Sequence, residues 1–206
     1  MGARSVTHPN IFVAPPYERT RGSTLPGPPN QQHGNRVVIR RAAPEDATSI
    51  SAVLSDAFAE YRSRYTKRAF EATTPQRDQI RERFDEGPIW VALDEGMVVG
   101  TVSAVPRGKD LYVRSMAVTP RKLGKGVGHA LLERAEEFAA KNGFERLLLS
   151  TTPFLLRAIE LYSHSGFIRS GEGPHELFGT PLFTMTKSLK RRWRNSAKSH
   201  KSRCDI

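Results

Sequence analysis

The sequence of 206 residues contains a single cysteine, Cys204, and no apolar run long enough to cross a membrane. A lone cysteine cannot form an intramolecular disulfide, and a membrane-spanning helix needs roughly 18 consecutive apolar residues. The N-terminus also lacks a basic segment followed by an apolar stretch, which a secretory signal would require. These absences favour an intracellular protein, and we expect it in the cytoplasm.

An excess of positive charge is present, but only at the two ends of the chain. The net charge is +11, of which residues 1–36 carry +3 and residues 187–206 carry +7, which leaves +1 for the rest. Six of the 14 prolines also fall in residues 1–36, which predicts a disordered segment there. We therefore expect a folded domain over residues 37–187, followed by a basic, mobile tail over residues 188–206.

Strand and helix patterns alternate within the central domain. Apolar runs predict strands over residues 36–42, 89–93, 97–105, 111–118, 144–151 and 182–189. Helical spacing predicts helices after Pro44, over 75–84, from the Gly124–Gly128 region to Asn142, and over 154–167. The strand–helix–strand portion from Leu111 to Thr151 requires a parallel pair, whereas the earlier hairpins are antiparallel. The expected fold is α/β with a mixed, mostly antiparallel sheet, one parallel β-α-β unit, and helices on both faces.

The stretch RKLGKGVGHALL, residues Arg121–Leu132, places three glycines at alternate positions just before a helix. Gly124, Gly126 and Gly128 can all take positive φ, and the first turn of a helix leaves its backbone N–H groups unpaired. Three basic side chains flank the glycines: Arg121, Lys122 and Lys125. The stretch predicts an anion site that suits phosphate. A glycine-rich turn without a ligand is the alternative.

The spacing of these glycines excludes two common phosphate loops. The dinucleotide fingerprint G-x-G-x-x-G needs a glycine three residues after Gly126, where His129 stands. A Walker loop needs Ser or Thr after its Gly-Lys pair, and Gly124-Lys125 is followed by Gly126.

The segment Arg121–Gly126 fits Arg/Gln-x-x-Gly-x-Gly/Ala and resembles the coenzyme A loop of the GNAT acyltransferase superfamily. RAIELYSHSGF, residues Arg157–Phe167, resembles the second recurrent segment of that superfamily, Asn-x-x-Ala-x-x-Leu-Tyr-x-x-x-Gly-Phe. It departs at the first position, where Leu155 replaces the asparagine. The resemblance covers about residues 37–187 and implies an N-acetyltransferase that uses acetyl-CoA as its acyl donor.

The resemblance also implies a set of binding residues. The strand before the loop is expected to bulge and to splay from its neighbour, so that the backbone of Met116, Ala117 and Val118 binds the pantetheine arm. The side chains of Arg121, Lys122 and Lys125 are expected to add positive charge beside the pyrophosphate. The backbone amides implied to hold the pyrophosphate are those of Leu123, Gly124, Lys125, Gly126, Val127, Gly128 and His129.

Tyr162 matches the tyrosine that donates a proton to the leaving sulfur in this superfamily. Packing in the core beside Leu155 and Ile159 is the alternative reading. No general base is assigned, because residues 111–118 contain no glutamate, and water is expected to take the proton. Asp110 is expected in a turn and Glu95 at a hairpin tip.

The histidines give no sign of a metal site. His129 and His164 are expected to be solvated, and no His, Cys and carboxylate spacing indicates a metal.

The resemblance implies that the acceptor is a primary amine, on a small molecule or a protein. The amine is expected to attack the acyl carbonyl directly, in a ternary complex with the protein and acetyl-CoA. The acceptor is expected to lie over residues 58–74. Their basic and aromatic composition suits an acidic or aromatic acceptor, but a solvated helix end has the same composition. The alternative function is a non-catalytic acyl-CoA-binding protein, tethered to nucleic acid, the ribosome or an anionic membrane by its basic tail.

Overall fold

The computed structural model of the chain describes residues 37–173 and 175–189. The helices are α1 (Ala47–Phe58), α2 (Lys67–Thr73), α3 (Arg77–Glu82), α4 (Val127–Lys141) and α5 (Leu156–His164). The strands are β1 (Val38–Arg41), β2 (Ile89–Asp94), β3 (Met97–Arg107), β4 (Asp110–Val118), β5 (Arg146–Thr151), β6 (Ile168–Ser170), β7 (Glu176–Leu177), β8 (Thr180–Pro181) and β9 (Phe183–Ser188). Short 3-10 turns cover Pro44–Asp46, Ala59–Arg64 and Pro120–Lys122.

Seven strands form one mixed sheet in the order β1-β2-β3-β4-β5-β9-β6. The β4–β5 pair is parallel and every other neighbouring pair is antiparallel. Helix α4 connects the two parallel strands, as a crossover between parallel neighbours requires. The predicted fold class is therefore confirmed. Strands β7 and β8 form a separate hairpin.

Each face of the sheet carries its own apolar core. On one face, α4 buries Val127, Leu131, Leu132, Ala135 and Ala139 against strands β2 to β5. On the other face, α1 buries Ile50, Val53 and Leu54, with Ile80 of α3. In both helices, the buried residues recur every three to four positions and so form one apolar stripe that faces the sheet. The sheet is thus covered on both sides, and its functional groups must emerge at its edges or gaps.

Strand β4 contains a bulge at Ser115 and Met116. Thr101 of β3 pairs with Ala117, whereas Ser103 pairs with Arg114, so two residues of β4 oppose one residue of β3. Ser115 has a φ of 50°, which non-glycine residues rarely adopt. A bulge of this kind bends the strand and reverses the alternation of its side chains beyond it.

Strands β4 and β5 separate beyond this bulge. Their parallel pairing covers only Asp110–Val113 with 146–149. Strand β5 continues to Thr151 along β9, and β4 continues to Val118 along β3. The edge of β4 over 114–118 therefore faces a gap in the sheet with no ladder partner on the β5 side.

Several elements differ from the sequence prediction. The first predicted helix reached Tyr61, whereas α1 ends at Phe58 and a 3-10 turn follows it. Helix α2 and strands β6, β7 and β8 were not predicted. The second predicted helix is shorter, because α3 spans Arg77–Glu82 only. The predicted N-terminal segment, and the basic tail beyond residue 189, lie outside the described residues. Among the described residues, no helix combines the length and apolar composition that a membrane crossing needs.

Candidate functional site

The loop before α4 presents a row of free backbone N–H groups. From Gly124 to His129, no N–H donates a well-formed hydrogen bond to a backbone carbonyl of the described residues. The first such bond of the helix runs from Ala130 N–H to the Gly126 carbonyl, at 3.0 Å. Six consecutive free amides at the positive end of a 15-residue helix form a strong site for an anion.

Two of the three glycines provide the backbone shape of this loop. Gly124 has a φ of 71° and Gly126 a φ of 76°, both in the left-handed region. A Cβ at either position would point into open space, so the bare backbone is accessible. Gly128 differs from the prediction, because it lies in the helix and does not adopt a positive φ. A Cβ on Gly128 would lie 3.1 Å from Leu161 Cδ2, so this glycine permits close packing of α4 on α5.

Two predicted contributors to the loop have other partners. The Lys122 ammonium pairs with the carboxylate of Asp94, which is buried at the end of β2. The Leu123 N–H donates to the Pro120 carbonyl at 3.3 Å, and the Lys122 N–H donates to Thr119 at 2.9 Å. The Lys122 charge and the Leu123 amide thus have partners within the protein, and their contact with a ligand stays a prediction. Arg121 and Lys125 are exposed beside the free amides.

The residues predicted to bind an extended ligand arm lie at the gap between β4 and β5. Met116 belongs to the bulge, and Ala117 and Val118 follow it and pair with β3 on one side only. Met116 Cε and Val118 Cγ2 lie 3.6 and 3.8 Å from the position of a Cβ on Gly128. The open edge of β4 thus leads directly to the loop with its free amides. Val127 contributes only its backbone, because its side chain is buried in the α4 core.

Tyr162 lies on α5 and is 8% exposed. Its ring packs against Phe167, with the ring centroids 5.9 Å apart. Burial raises the pKa of Tyr162 well above its usual range, and the neighbouring Tyr112 and Tyr65 raise it further. The preceding residue, Leu161, packs on Gly128, so α5 lies against the start of α4. The phenol is therefore protonated, and it lies on the helix that packs against the start of α4.

The remaining ionisable residues that the sequence analysis considered have structural roles. Asp110 begins β4 instead of lying in a turn, and it forms two hydrogen bonds of 2.9 Å with Arg146, which lower its pKa. Glu95 lies in the β2–β3 turn as predicted, with a φ of 51°. His129 is half-exposed and 3.4 Å from Glu133, and His164 is exposed at the end of α5. Within 37–173 and 175–189, no cluster of His, Cys and carboxylate groups could hold a metal ion.

Residues 59–74 form a wall beside this region. The Tyr65 ring meets the Phe154 ring edge-on at 4.9 Å, and burial raises the pKa of Tyr65 to about 12. The Thr66 hydroxyl donates to the Phe178 carbonyl at 2.8 Å, and the Thr66 N–H donates to Thr180 Oγ1 at 3.0 Å. These bonds tie α2 to the β7–β8 hairpin and fix the wall in place.

One further group beside the bulge was not predicted from the sequence. Arg83 follows α3 and donates from Nη1 to the Ser115 hydroxyl at 2.7 Å. Arg114 lies next to it and pairs with Glu86 at 2.7 Å. The contact between Arg83 and Ser115 joins residues 32 positions apart, and the two belong to no motif. The one signal in the sequence was the polar pair Arg114-Ser115, which interrupts the otherwise apolar residues 111–118 of strand β4.

Comparison with known proteins agrees with this geometry. A family model described as the acetyltransferase (GNAT) family matches residues 50–167. The uncharacterized N-acetyltransferase YjgM of Escherichia coli is 33% identical over 136 residues, which are 63% of this chain and 81% of that protein. The zebrafish N-acetylaspartate synthetase is 41% identical over 85 residues, which are 40% of this chain.

The extent of these matches differs between relatives. The match covers only 30% of the zebrafish protein, and a match to rat N-acetyltransferase family 8 member 3, at 32% identity, covers 39% of that protein. Among solved structures, the PaiA N-acetyltransferase of Thermoplasma acidophilum in complex with coenzyme A has a TM-score of 0.65. It is 16% identical, and the match covers 75% of this chain and 99% of that one, so the likeness concerns the fold.

Proposed function

Because the chain belongs to the acetyltransferase (GNAT) family, we propose that it transfers an acetyl group from acetyl-CoA to a primary amine. The observation that carries this proposal is the row of six free amides at the end of a strand that has separated from its neighbour. A phosphate-rich carrier with an extended arm fits both features together.

The proposed contacts follow the groups that the structure leaves free. The backbone N–H groups from Gly124 to His129, with the exposed side chains of Arg121 and Lys125, hold the pyrophosphate. The open edge of β4 over 116–118 binds the pantetheine arm by backbone hydrogen bonds, as an additional strand would. Bound in this way, acetyl-CoA supplies the acetyl group as a reactive thioester.

The chain then contributes groups around the reacting carbonyl. In direct attack, the amine nitrogen forms a bond to the acyl carbon and the carbon–sulfur bond breaks. A backbone N–H at the bulge stabilises the negative charge that develops on the acyl oxygen. Tyr162 donates its proton to the leaving sulfur. Its raised pKa keeps the phenol protonated, so a donor is present at neutral pH. Because a thiol has a lower pKa, of about 8.5, the transfer to the thiolate is uphill, and the phenol must take a proton back from water to complete the cycle. The ammonium proton of the acceptor passes to water.

The test is a screen of primary amines with acetyl-CoA, in which release of the coenzyme A thiol is measured. We expect at least one amine class to give turnover. Tyr162→Phe should lower kcat about 100-fold without changing the affinity for acetyl-CoA, because only the proton donor is removed. Tyr112→Phe is the matched control and should keep most of the activity. Binding of acetyl-CoA without thiol release from any amine would support the non-catalytic alternative instead.

A further inference from the structure

Arg83 is a half-buried cation whose described partners are uncharged. Nη1 donates to the Ser115 hydroxyl at 2.7 Å and Nη2 donates to the Ala72 carbonyl at 3.3 Å. No carboxylate of residues 37–173 and 175–189 forms an ion pair with it. A guanidinium has five N–H donors and remains protonated, so three donors and a full charge are left without a partner here.

The surroundings of Arg83 add positive charge instead of balancing it. Arg114 lies close enough to lower the pKa of Arg83, although burial is the larger cause. Glu86 is the acid nearby, and it already pairs with Arg114 at 2.7 Å. Two guanidinium groups therefore share one carboxylate. An unbalanced cation taken partly out of water is costly, which makes this position attractive to an anion.

A structural role accounts for only part of this arrangement. Ala72 lies in the last turn of α2, so Arg83 caps one of the carbonyls that the helix leaves unpaired. A neutral amide could cap that carbonyl equally well. The cap does not explain why a guanidinium also reaches the hydroxyl of the strained bulge residue, Ser115.

The wall of residues 59–74, which Arg83 contacts at Ala72, also carries a net positive charge. Residues 59–74 contain four basic residues and two acids. Three of the arginines lie over aromatic rings: Arg62 over Phe70, Arg64 over Phe154 and Arg68 over Phe178. These three charges are thus held against aromatic rings, and the excess of basic over acidic residues in this segment favours an anionic molecule.

We propose that Arg83 binds a carboxylate of the acceptor, so that the acceptor is a small primary amine with a carboxylate within a few bonds of its amino group. This inference rests on the proposed function, which places the reacting carbonyl at the bulge. Because Arg83 contacts the bulge residue itself, its anion and the attacking nitrogen lie only a few ångströms apart. A lysine side chain of a protein does not carry a carboxylate at that spacing.

The experiment compares acceptors that carry a carboxylate with their amides, and each kcat/KM is referred to the unprotonated amine, because amidation also lowers the pKa of the amino group. β-Alanine is paired with β-alaninamide, phenylalanine with phenylalaninamide, and aspartate with its diamide, each assayed by thiol release from acetyl-CoA. We expect the acid of at least one pair to have a kcat/KM about 10- to 100-fold above its amide, as loss of a charged hydrogen bond would give. Arg83→Gln should remove this preference, mainly through KM, and Arg83→Lys should restore part of it.

Two controls separate binding of the carboxylate from a structural effect. Arg81→Gln changes an exposed arginine of α3, two residues before Arg83, and should keep the preference. Calorimetry should show an unchanged affinity of Arg83→Gln for acetyl-CoA. If Arg83→Gln does not fold, the comparison of acids with amides on the wild-type protein decides alone.

The outcomes distinguish the two proposals. If the amides react with a kcat/KM equal to that of the acids, or if folded Arg83→Gln keeps the preference unchanged, this inference is overturned and the acetyltransferase proposal stays intact. Absence of turnover with every amine overturns the acetyltransferase proposal and this inference together.

Discussion

At the scale of single residues, the surroundings of a side chain decide its chemistry more than its identity does. Tyr162 is almost fully buried, and burial holds its proton. Lys122 belongs to a basic loop, but its charge is taken up by the buried Asp94. Sequence reasoning could place both residues near the loop, yet it could not tell which charge was already paired.

The raised pKa of Tyr162 predicts a specific alkaline behaviour. Its pKa in the folded protein lies above the unfolded value of about 10, so the stability that it contributes is fully present below pH 10. That stability is lost as the pH rises through the folded pKa. Tyr162→Phe should therefore unfold at a higher alkaline pH than the wild type, as followed by circular dichroism. An unchanged midpoint would show that the phenol is not held protonated.

The Lys122–Asp94 pair predicts an effect on stability. Lys122→Met leaves the Asp94 carboxylate buried without a partner and should lower the free energy of unfolding by roughly 3 kcal/mol. Lys109→Met is the control, because the Lys109–Glu145 pair is exposed at both ends and should contribute less than about 1 kcal/mol. Urea unfolding measures both. Equal losses in the two variants would contradict the assignment of Lys122 to a buried pair.

At the scale of elements, hydrophobic periodicity was sufficient to predict the long helices and strands, but it did not predict the short ones. Helix α4 and strands β2 to β5 have clear periods and were predicted within a few residues. Helix α2 has seven residues and depends on the Thr66 cap and on bonds to the β7–β8 hairpin, which are contacts distant in sequence. The bulge at Ser115 is likewise fixed by pairing with β3, so the strand's own residues do not reveal where it occurs.

The glycine loop predicts a separation between stability and binding. Gly126→Ala places a Cβ at a φ of 76° and should cost about 1 kcal/mol of stability, and the Cβ should also obstruct the anion and weaken acetyl-CoA affinity at least tenfold. Gly96→Ala is the matched control, since Gly96 has a φ of 80° with equally open space in the β2–β3 turn. It should lose similar stability and no affinity. Equal affinities of the two variants, measured by calorimetry, would contradict the role of the loop.

At the scale of the whole molecule, the fold places its functional groups around one defect in an otherwise regular sheet. The two faces are covered by α1 and α4 with separate apolar cores, so the gap between β4 and β5 is the point where backbone groups become available. The free amides lie at one end of this gap, and the bulge with Arg83 lies at the other. In the function proposed above, this arrangement separates the phosphates of acetyl-CoA from the reacting groups by the length of one extended segment.

The most direct test of the central claim compares coenzyme A with pantetheine, which lacks the pyrophosphate, in calorimetric titrations of the wild-type protein. If the amides from Gly124 to His129 bind the pyrophosphate, coenzyme A should bind with measurable heat and pantetheine at least 100-fold more weakly. Equal binding of the two compounds, or no heat with coenzyme A, would contradict the assignment of the loop and the function built on it.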